Sequence, residues 1–185
     1  MRLKSILFLI FVSLLATGVA QATTVIQLDL VQHLKDSTAV IEAQVGETAQ
    51  GIDAATGRPF TDTQLRVDRV LFGQAPDSLA IRQHKGTIDG KVHAIIGDGE
   101  LEPGSNVLLF VMKHTDNRWY LTALAQSVYT IVGSGPDAKV ERSLDSLVFM
   151  ERDAQGRLIP AHPKDEKDLN LGRLRGLISE AARKL

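Results

Sequence analysis

AVIEAQVG, at residues 39–46, alternates apolar and polar side chains, with Ile41, Ala43 and Val45 on one face. TDTQLRVDRVLFG, at residues 61–73, begins with the same period. Its repeating positions are Thr63, Leu65 and Val67. A period of two is typical of a half-buried β-strand. The two stretches therefore predict a pair of strands.

The residues between and after these strands predict a hairpin with an irregular end. Gly51–Pro59 contains two glycines and a proline among small polar residues, which indicates an exposed loop. At Val70, Leu71 and Phe72 the alternation stops. Three consecutive apolar residues predict either a β-bulge or a strand that enters the interior.

Periodicity elsewhere predicts more short strands and two helices. The strands lie at residues 79–84, 92–96, 107–112, 118–125 and 128–132, and residues 148–150 and 158–159 pair across a turn at 153–156. Residues 107–112 are continuously apolar, so both faces of that strand should be covered. Helical spacing predicts a helix over Leu28–Lys35 and another over about residues 166–184. The apolar stripe of the second helix is Leu174, Leu177, Ile178, Ala181 and Leu185.

This order of elements predicts a mainly β (α+β) fold. The preferred architecture is a small antiparallel OB-like barrel with an N-terminal and a C-terminal helix, and a curled, open α+β sheet is the alternative. Residues 23–185 are expected to form one β-rich domain. Its core is predicted at about 38–133, with a less regular part at 134–163.

The first residues predict export. Arg2 and Lys4 precede an apolar run over residues 6–15, and Ala20-Gln21-Ala22 is a small-x-small cleavage site. This pattern is that of a signal peptide over residues 1–22, which predicts an extracytoplasmic, periplasmic or secreted chain that begins at Thr23. Of the 21 basic residues, 19 remain after cleavage against 22 acidic ones, a formal charge of −3.

Composition excludes several classes of function. The chain has no cysteine, which rules out thiol catalysis, thiolate metal sites and a lipid anchor on an N-terminal cysteine. A weakly acidic chain with 5% aromatic residues has neither the basic surface nor the stacking side chains typical of nucleic-acid binding. We therefore expect no nucleic acid, no membrane anchor after cleavage and no cofactor.

The long glycine-rich segment Gly86–Gly104 is the candidate binding loop, because it joins two core strands. Its candidate residues are Gly86, Asp89, Gly90, His93, Ile95, Ile96 and Asp98. Ile95 and Ile96 could form either a buried plug or an exposed contact, and inward packing is the favoured expectation.

Two of the five histidines are close enough along the chain for a joint role. A four-residue loop after Gly86 would place His84 opposite His93, whereas a two-residue Asp89-Gly90 loop would place His93 opposite Gly86. Even the first register supplies only two metal ligands, and catalytic zinc usually has three. No metal site is therefore predicted.

Other candidate motifs have simpler interpretations. His33, His114 and His162 are isolated and are expected in solvent. Ser134 lies between two glycines, but no GxSxG sequence surrounds it, so a plain loop is expected. Gly97–Glu100 is expected to be an acidic turn, since it lacks the oxygen ligands of an EF-hand loop. Two expectations follow for Gly172 and Gly176: they let the last helix approach the sheet closely, or the helix begins only after Gly172.

The strand motifs also carry a resemblance. AVIEAQVG, TDTQLRVDRVLFG, PGSNVLLFV at residues 103–111 and residues 119–126 resemble a loosely defined family of exported bacterial β-rich proteins. Its plan is V.G.V, then T…V..VLKG, then GE.VLLFL. Here Phe72 replaces a lysine, Asn106 replaces a glutamate, and only Gly86 stands where a glycine pair is usual. The family has no established activity, so the resemblance implies a small β-rich fold and no catalytic residues.

Three functional hypotheses follow. The first is an exported non-enzymatic domain that binds a protein or envelope component through the glycine-rich loop. The second is a hydrolase or metal-dependent enzyme whose site combines His84, His93 and Asp98. The third is a subunit that assembles through an exposed edge strand or the last helix.

Overall fold

The computed structural model describes residues 22–163 and 169–185. The predicted signal peptide, apart from Ala22, and the predicted start of the last helix lie outside these residues. The strands are β1 (Thr23–Ile26), β2 (Ala39–Ile52), β3 (Pro59–Gly73), β4 (Ser78–Gln83), β5 (Gly86–Ile88), β6 (Lys91–His93), β7 (Asn106–Lys113), β8 (Trp119–Leu121), β9 (Val128–Val132), β10 (Lys139–Glu141), β11 (Leu147–Arg152) and β12 (Leu158–Pro160). The helices are α1 (Leu30–Asp36) and α2 (Leu171–Ala182), with a 3₁₀ turn at Leu124–Ser127.

Five strands close into a barrel. Strand β2 pairs with β3, β3 with β4, β4 with β8, β8 with β7, and β7 with β2 again. All these pairings are antiparallel except β4–β8, which is parallel. The ring therefore has the Greek-key order of an OB-type barrel, which confirms the preferred architecture over the open sheet.

The β2–β3 hairpin follows the sequence pattern closely. Val40 pairs with Phe72 and Ile41 with Val70, so Leu71 is the extra residue of a β-bulge. Asp53 closes the intervening turn, because its side chain accepts two backbone N–H groups and its own N–H donates to the Arg58 carbonyl. The predicted loop is confirmed, although both strands extend into its ends.

The first half of strand β2, residues 39–45, is covered on both faces, so the expectation of a half-buried strand was wrong there. Its inward side chains form the barrel core with those of β7, and α2 covers its outer face. Glu42, on that outer face, is only 8% exposed. Arg175 of α2 donates two hydrogen bonds to the Glu42 carboxylate, at 2.5 and 2.6 Å. Such a paired carboxylate can remain buried.

His33 is buried rather than solvated as predicted. Its side chain on α1 stacks on the ring of Phe110 at 4.0 Å, and its Nε2 lies 3.0 Å from the Ser127 hydroxyl. Burial, and then the charge of Arg142, lowers the pKa of His33 to about 4, whereas Asp36 acts in the opposite direction. The periodicity of α1 places His33 on its polar side. The stacking partner, Phe110, belongs to the distant strand β7, so the pattern within the helix does not reveal this contact.

Helix α2 uses only part of its predicted stripe. Leu174, Ile178 and Ala181 are buried against the barrel, whereas Leu177 and Leu185 are exposed. The helix begins at Leu171, before Gly172, with Asn170 as its N-cap. A Cβ on Gly172 would lie 3.0 Å from the Pro136 carbonyl oxygen, and one on Gly176 would meet no atom within 4 Å. Gly172 alone therefore permits a close approach, and it is to the loop at Pro136, not to the sheet as predicted.

A second sheet packs beside the barrel in the order β1-β11-β12. Strand β12 returns antiparallel along β11 after the predicted turn, which confirms that hairpin. Leu147 and Phe149 of β11 pack with Ala125, so part of the less regular region has a small core of its own. Within the described ranges, no helix has the length and apolar character needed to span a membrane.

Candidate functional site

A two-residue turn sets the register of the β5–β6 hairpin. Asp89 and Gly90 form the turn with φ angles of 49° and 71°, and Gly86 pairs with His93. Two consecutive positive φ angles are typical of a type I′ hairpin turn. The shorter of the two predicted loops is therefore the one present, and His84 does not oppose His93 across the ladder.

The same register leaves one edge of β6 free. In a two-residue hairpin the residues that flank the turn, Ile88 and Lys91, form a hydrogen-bonded pair. The next pair, Thr87 with Val92, is then the non-hydrogen-bonded one, and Val92 directs its N–H and C=O away from β5. This sheet has only two strands within the described residues, so that edge of β6 has no neighbouring strand.

An open cleft of about 400 Å³ lies between this hairpin and the turn that joins β2 to β3. Its lining includes Arg58, Pro59, His84, Val92, His93 and Ile95. We call it the hairpin cleft. Tertiary packing thus brings His84 and His93 to one cavity although the strand register separates them. The lining combines one permanent cation and two imidazole rings with an apolar wall.

Tyr120 and its partners lie behind His84. The His84 ring lies 6.0 Å from the Tyr120 ring in a stacked orientation. The Tyr120 hydroxyl donates to Asp116 at 2.9 Å. Burial, and then this hydrogen bond, raises the pKa of Tyr120, so the ring stays a neutral support at physiological pH. The Tyr120 ring therefore presents a neutral aromatic face to the exposed His84 ring.

A second rigid group adjoins the Pro59 side of the hairpin cleft. Arg82 of β4 donates to both carboxylate oxygens of Asp62, at 2.8 and 2.6 Å, and its guanidinium lies 3.5 Å from the centre of the Phe60 ring. The Asp62 bond raises the pKa of Arg82 further. Phe60 follows Pro59 directly, so this cluster fixes the strand that forms one wall.

Asp98 lies outside the hairpin cleft. Its carboxylate accepts the N–H of Gly99 at 3.0 Å, and its burial raises the pKa while Gln83 acts in the opposite direction. The three residues of the enzyme hypothesis, His84, His93 and Asp98, therefore do not share one cavity. Within residues 22–163 and 169–185, no cluster of three or more His, Cys, Asp or Glu side chains could hold a metal ion.

The exposure of Ile95 and Ile96 contradicts the expectation of inward packing. They are 41% and 37% exposed. The interior beside them is filled from other strands, because a Cβ on Gly97 would lie 2.3 Å from a Leu147 methyl carbon. Only a glycine fits at position 97 without displacing Leu147.

The remainder of the glycine-rich segment belongs to the core. A Cβ on Gly99 would lie 2.4 Å from a methyl carbon of Val128, and Leu101 is buried in the barrel. The Gly99 carbonyl accepts a hydrogen bond from Gln83 at 2.6 Å. The Asp98 N–H donates to the Ile95 carbonyl at 3.1 Å, so a turn overlaps the predicted acidic turn at Gly97–Glu100. Gly97 and Gly99 are buried and Glu100 is exposed, so the chain after this turn is an anchored crossing of the barrel.

The other candidates remain at the surface. His114 and His162 are exposed as predicted, and Ser134 lies in an exposed bend. Arg58 and Pro59 were missed as site residues. Both residues lie at the end of the predicted loop at Gly51–Pro59. The sequence around that loop does not predict its contact with the β5–β6 hairpin, which begins at Gly86.

Comparison with known proteins gives no further assignment. Neither the models of known protein families nor the curated proteins include a match to this chain.

Proposed function

We propose that the chain is an exported, non-enzymatic domain that binds a protein of the cell envelope through the β5–β6 hairpin and the hairpin cleft. The export signal predicted at residues 1–22 and the resemblance to exported β-rich proteins support the location. The proposal rests on one observation above all: Val92, at the centre of β6, is 80% exposed beside a cleft that a rigid barrel supports.

Exposure of this kind favours recognition. A short strand that presents a valine and a free backbone edge to solvent costs solubility, and such features are often retained at interaction sites. Binding residues are also commonly placed on loops that a rigid scaffold holds. Here the scaffold is the barrel, to which Gly99 and Leu101 anchor the segment.

The alternatives have less support. The enzyme hypothesis needs His84, His93 and Asp98 in one cavity, and Asp98 lies elsewhere. Assembly through the last helix would use its apolar stripe, but the barrel already buries Leu174 and Ile178.

The test is affinity capture from the envelope fraction with the tagged mature chain, Thr23 onward. The double variant Val92→Ser/Ile95→Ser removes the apolar surface of the hairpin, and Val132→Ser, at an exposed valine of β9, is the matched control. We expect a partner that the wild type and the Val132 variant capture and the double variant loses. A partner retained equally by all three would refute the proposed site, and capture by none would refute the function.

A further inference from the structure

The lining of the hairpin cleft carries positive charge without a balancing acid. Arg58 is exposed, and its guanidinium has no ion-pair or hydrogen-bond partner among the described residues. His84 and His93 add two imidazole rings, each of which can donate an N–H in either charge state. Among the described residues that line the cleft there is no Asp or Glu.

The acidic groups nearby are already engaged or lie outside the cleft. Asp62 is bonded to Arg82, and Asp98 to the Gly99 N–H. Asp89 lies at the tip of the hairpin, beyond the cleft. Asp98 interacts electrostatically with His84 from outside the cleft. An incoming anion would therefore meet Arg58 without competing against any carboxylate that residues 22–163 and 169–185 place in the cleft lining.

The free edge of β6 adds a second recognition element. Val92 directs one N–H and one C=O outward, as an exposed sheet edge does before it accepts another strand. An extended chain at this edge would place alternate side chains toward the cleft, where Val92 and Ile95 provide an apolar wall.

We propose that the hairpin cleft binds an extended acidic segment of a polypeptide, which pairs with the β6 edge and places a carboxylate beside Arg58, His84 and His93. This inference rests on the proposed function and specifies its ligand. The acidic balance of the chain, with a formal charge of −1, disfavours binding to anionic lipid and nucleic acid as surfaces. Only a ligand that enters the cleft meets its positive lining.

The test is a selection from a random peptide display library with the mature protein, followed by affinity measurement. We expect enrichment of peptides that combine Asp or Glu with apolar residues at alternating positions. For a selected peptide, replacement of its Glu by Gln should weaken binding about tenfold, since one charge-assisted bond of this type is lost. The Arg58→Gln variant should weaken binding to a similar degree, and Arg173→Gln, at an exposed arginine of α2, should not.

The binding mode has its own measurement. In an amide spectrum of the ¹⁵N-labelled protein, the peptide should shift the Val92 resonance and slow its hydrogen exchange, because that N–H gains a partner. A Val92 amide that stays unchanged while peptide binds would overturn the edge-pairing part of the proposal.

The remaining outcomes distinguish failure of the acidic-peptide proposal from failure of the proposed function. Capture of a partner that depends on Val92 and Ile95, without enrichment of acidic peptides, would overturn this inference alone. Binding to phosphatidylglycerol vesicles in place of peptides would also overturn it. Failure of both the capture and the selection would overturn both proposals.

Discussion

The two halves of the segment between β4 and β7 use glycine for opposite reasons. In the outer half, residues 86–96, Gly90 occupies a turn in open solvent, and what it provides is a positive φ angle. In the inner half, residues 97–101, Gly99 lies against Val128, where a side chain would not fit. A glycine-rich composition alone therefore does not distinguish an exposed hairpin turn from a tightly packed crossing of the core.

The largest expected effect is in the inner half. Gly99→Ala should lower the free energy of unfolding by about 3 kcal/mol, because its Cβ would overlap Val128, a stiff β-branched residue in a strand. Urea denaturation of the mature chain measures this. A loss below 1 kcal/mol would mean that the crossing is not packed as described.

Burial in the core also makes stability depend on pH through His33. Its pKa in the folded chain is about 4 and its ordinary value is 6.5, so between these values the unfolded state binds more protons. Stability should therefore fall as the pH falls through this window, by about 2 kcal/mol between pH 7.5 and pH 5. Denaturation of the wild type and of His33→Gln at both pH values isolates this contribution. Equal pH dependence of the two proteins would contradict the buried, neutral histidine.

In the outer half, Gly90→Ala should cost only about 1 kcal/mol. A Cβ there meets no atom within 4 Å, and the cost arises from the positive φ alone. Compared by the same denaturation experiment, this variant should be clearly more stable than Gly99→Ala. If Gly90→Ala had the lower free energy of unfolding, the two halves would not use glycine in the two ways described.

The smallest effect on stability should be that of Val92→Ser, within about 0.5 kcal/mol of the wild type, because the side chain is already in solvent. Its thermal unfolding midpoint should match that of Val132→Ser. A marked destabilisation would show that Val92 packs against part of the chain and does not belong to a free recognition surface.

Sequence reasoning succeeded where the determinants were local. The pairing of β2 with β3, the bulge at Leu71 and the continuously apolar strand β7 each depend on adjacent side chains and turns. The alternation from Ile41 to Val45 predicted the strand but not the burial of its outer face. The small antiparallel barrel was predicted, whereas its strand order was not, because the long connection from β4 to β7 leaves the pairing of β4 with β8 open in the sequence.

Sequence reasoning failed where distant elements meet. His33 looked solvent-facing on its own helix, and only Phe110 on β7 accounts for its burial. Ile95 and Ile96 were predicted to pack inward, but both side chains are exposed. Leu147 of β11 occupies the space beside the adjacent Gly97. Arg58 and His93 line the same cleft because the β2–β3 turn and the β5–β6 hairpin are adjacent in space, and no periodicity in the sequence predicts that proximity.

Site-specific photo-crosslinking in cells tests the central claim most directly. A benzophenone amino acid is placed at Val92 in one strain and at Val132 in another, since both positions are exposed on strands. We expect a discrete crosslinked partner from position 92 and none from position 132. Crosslinks from position 132 alone, or from neither position, would contradict the assignment of the β5–β6 hairpin as the binding surface.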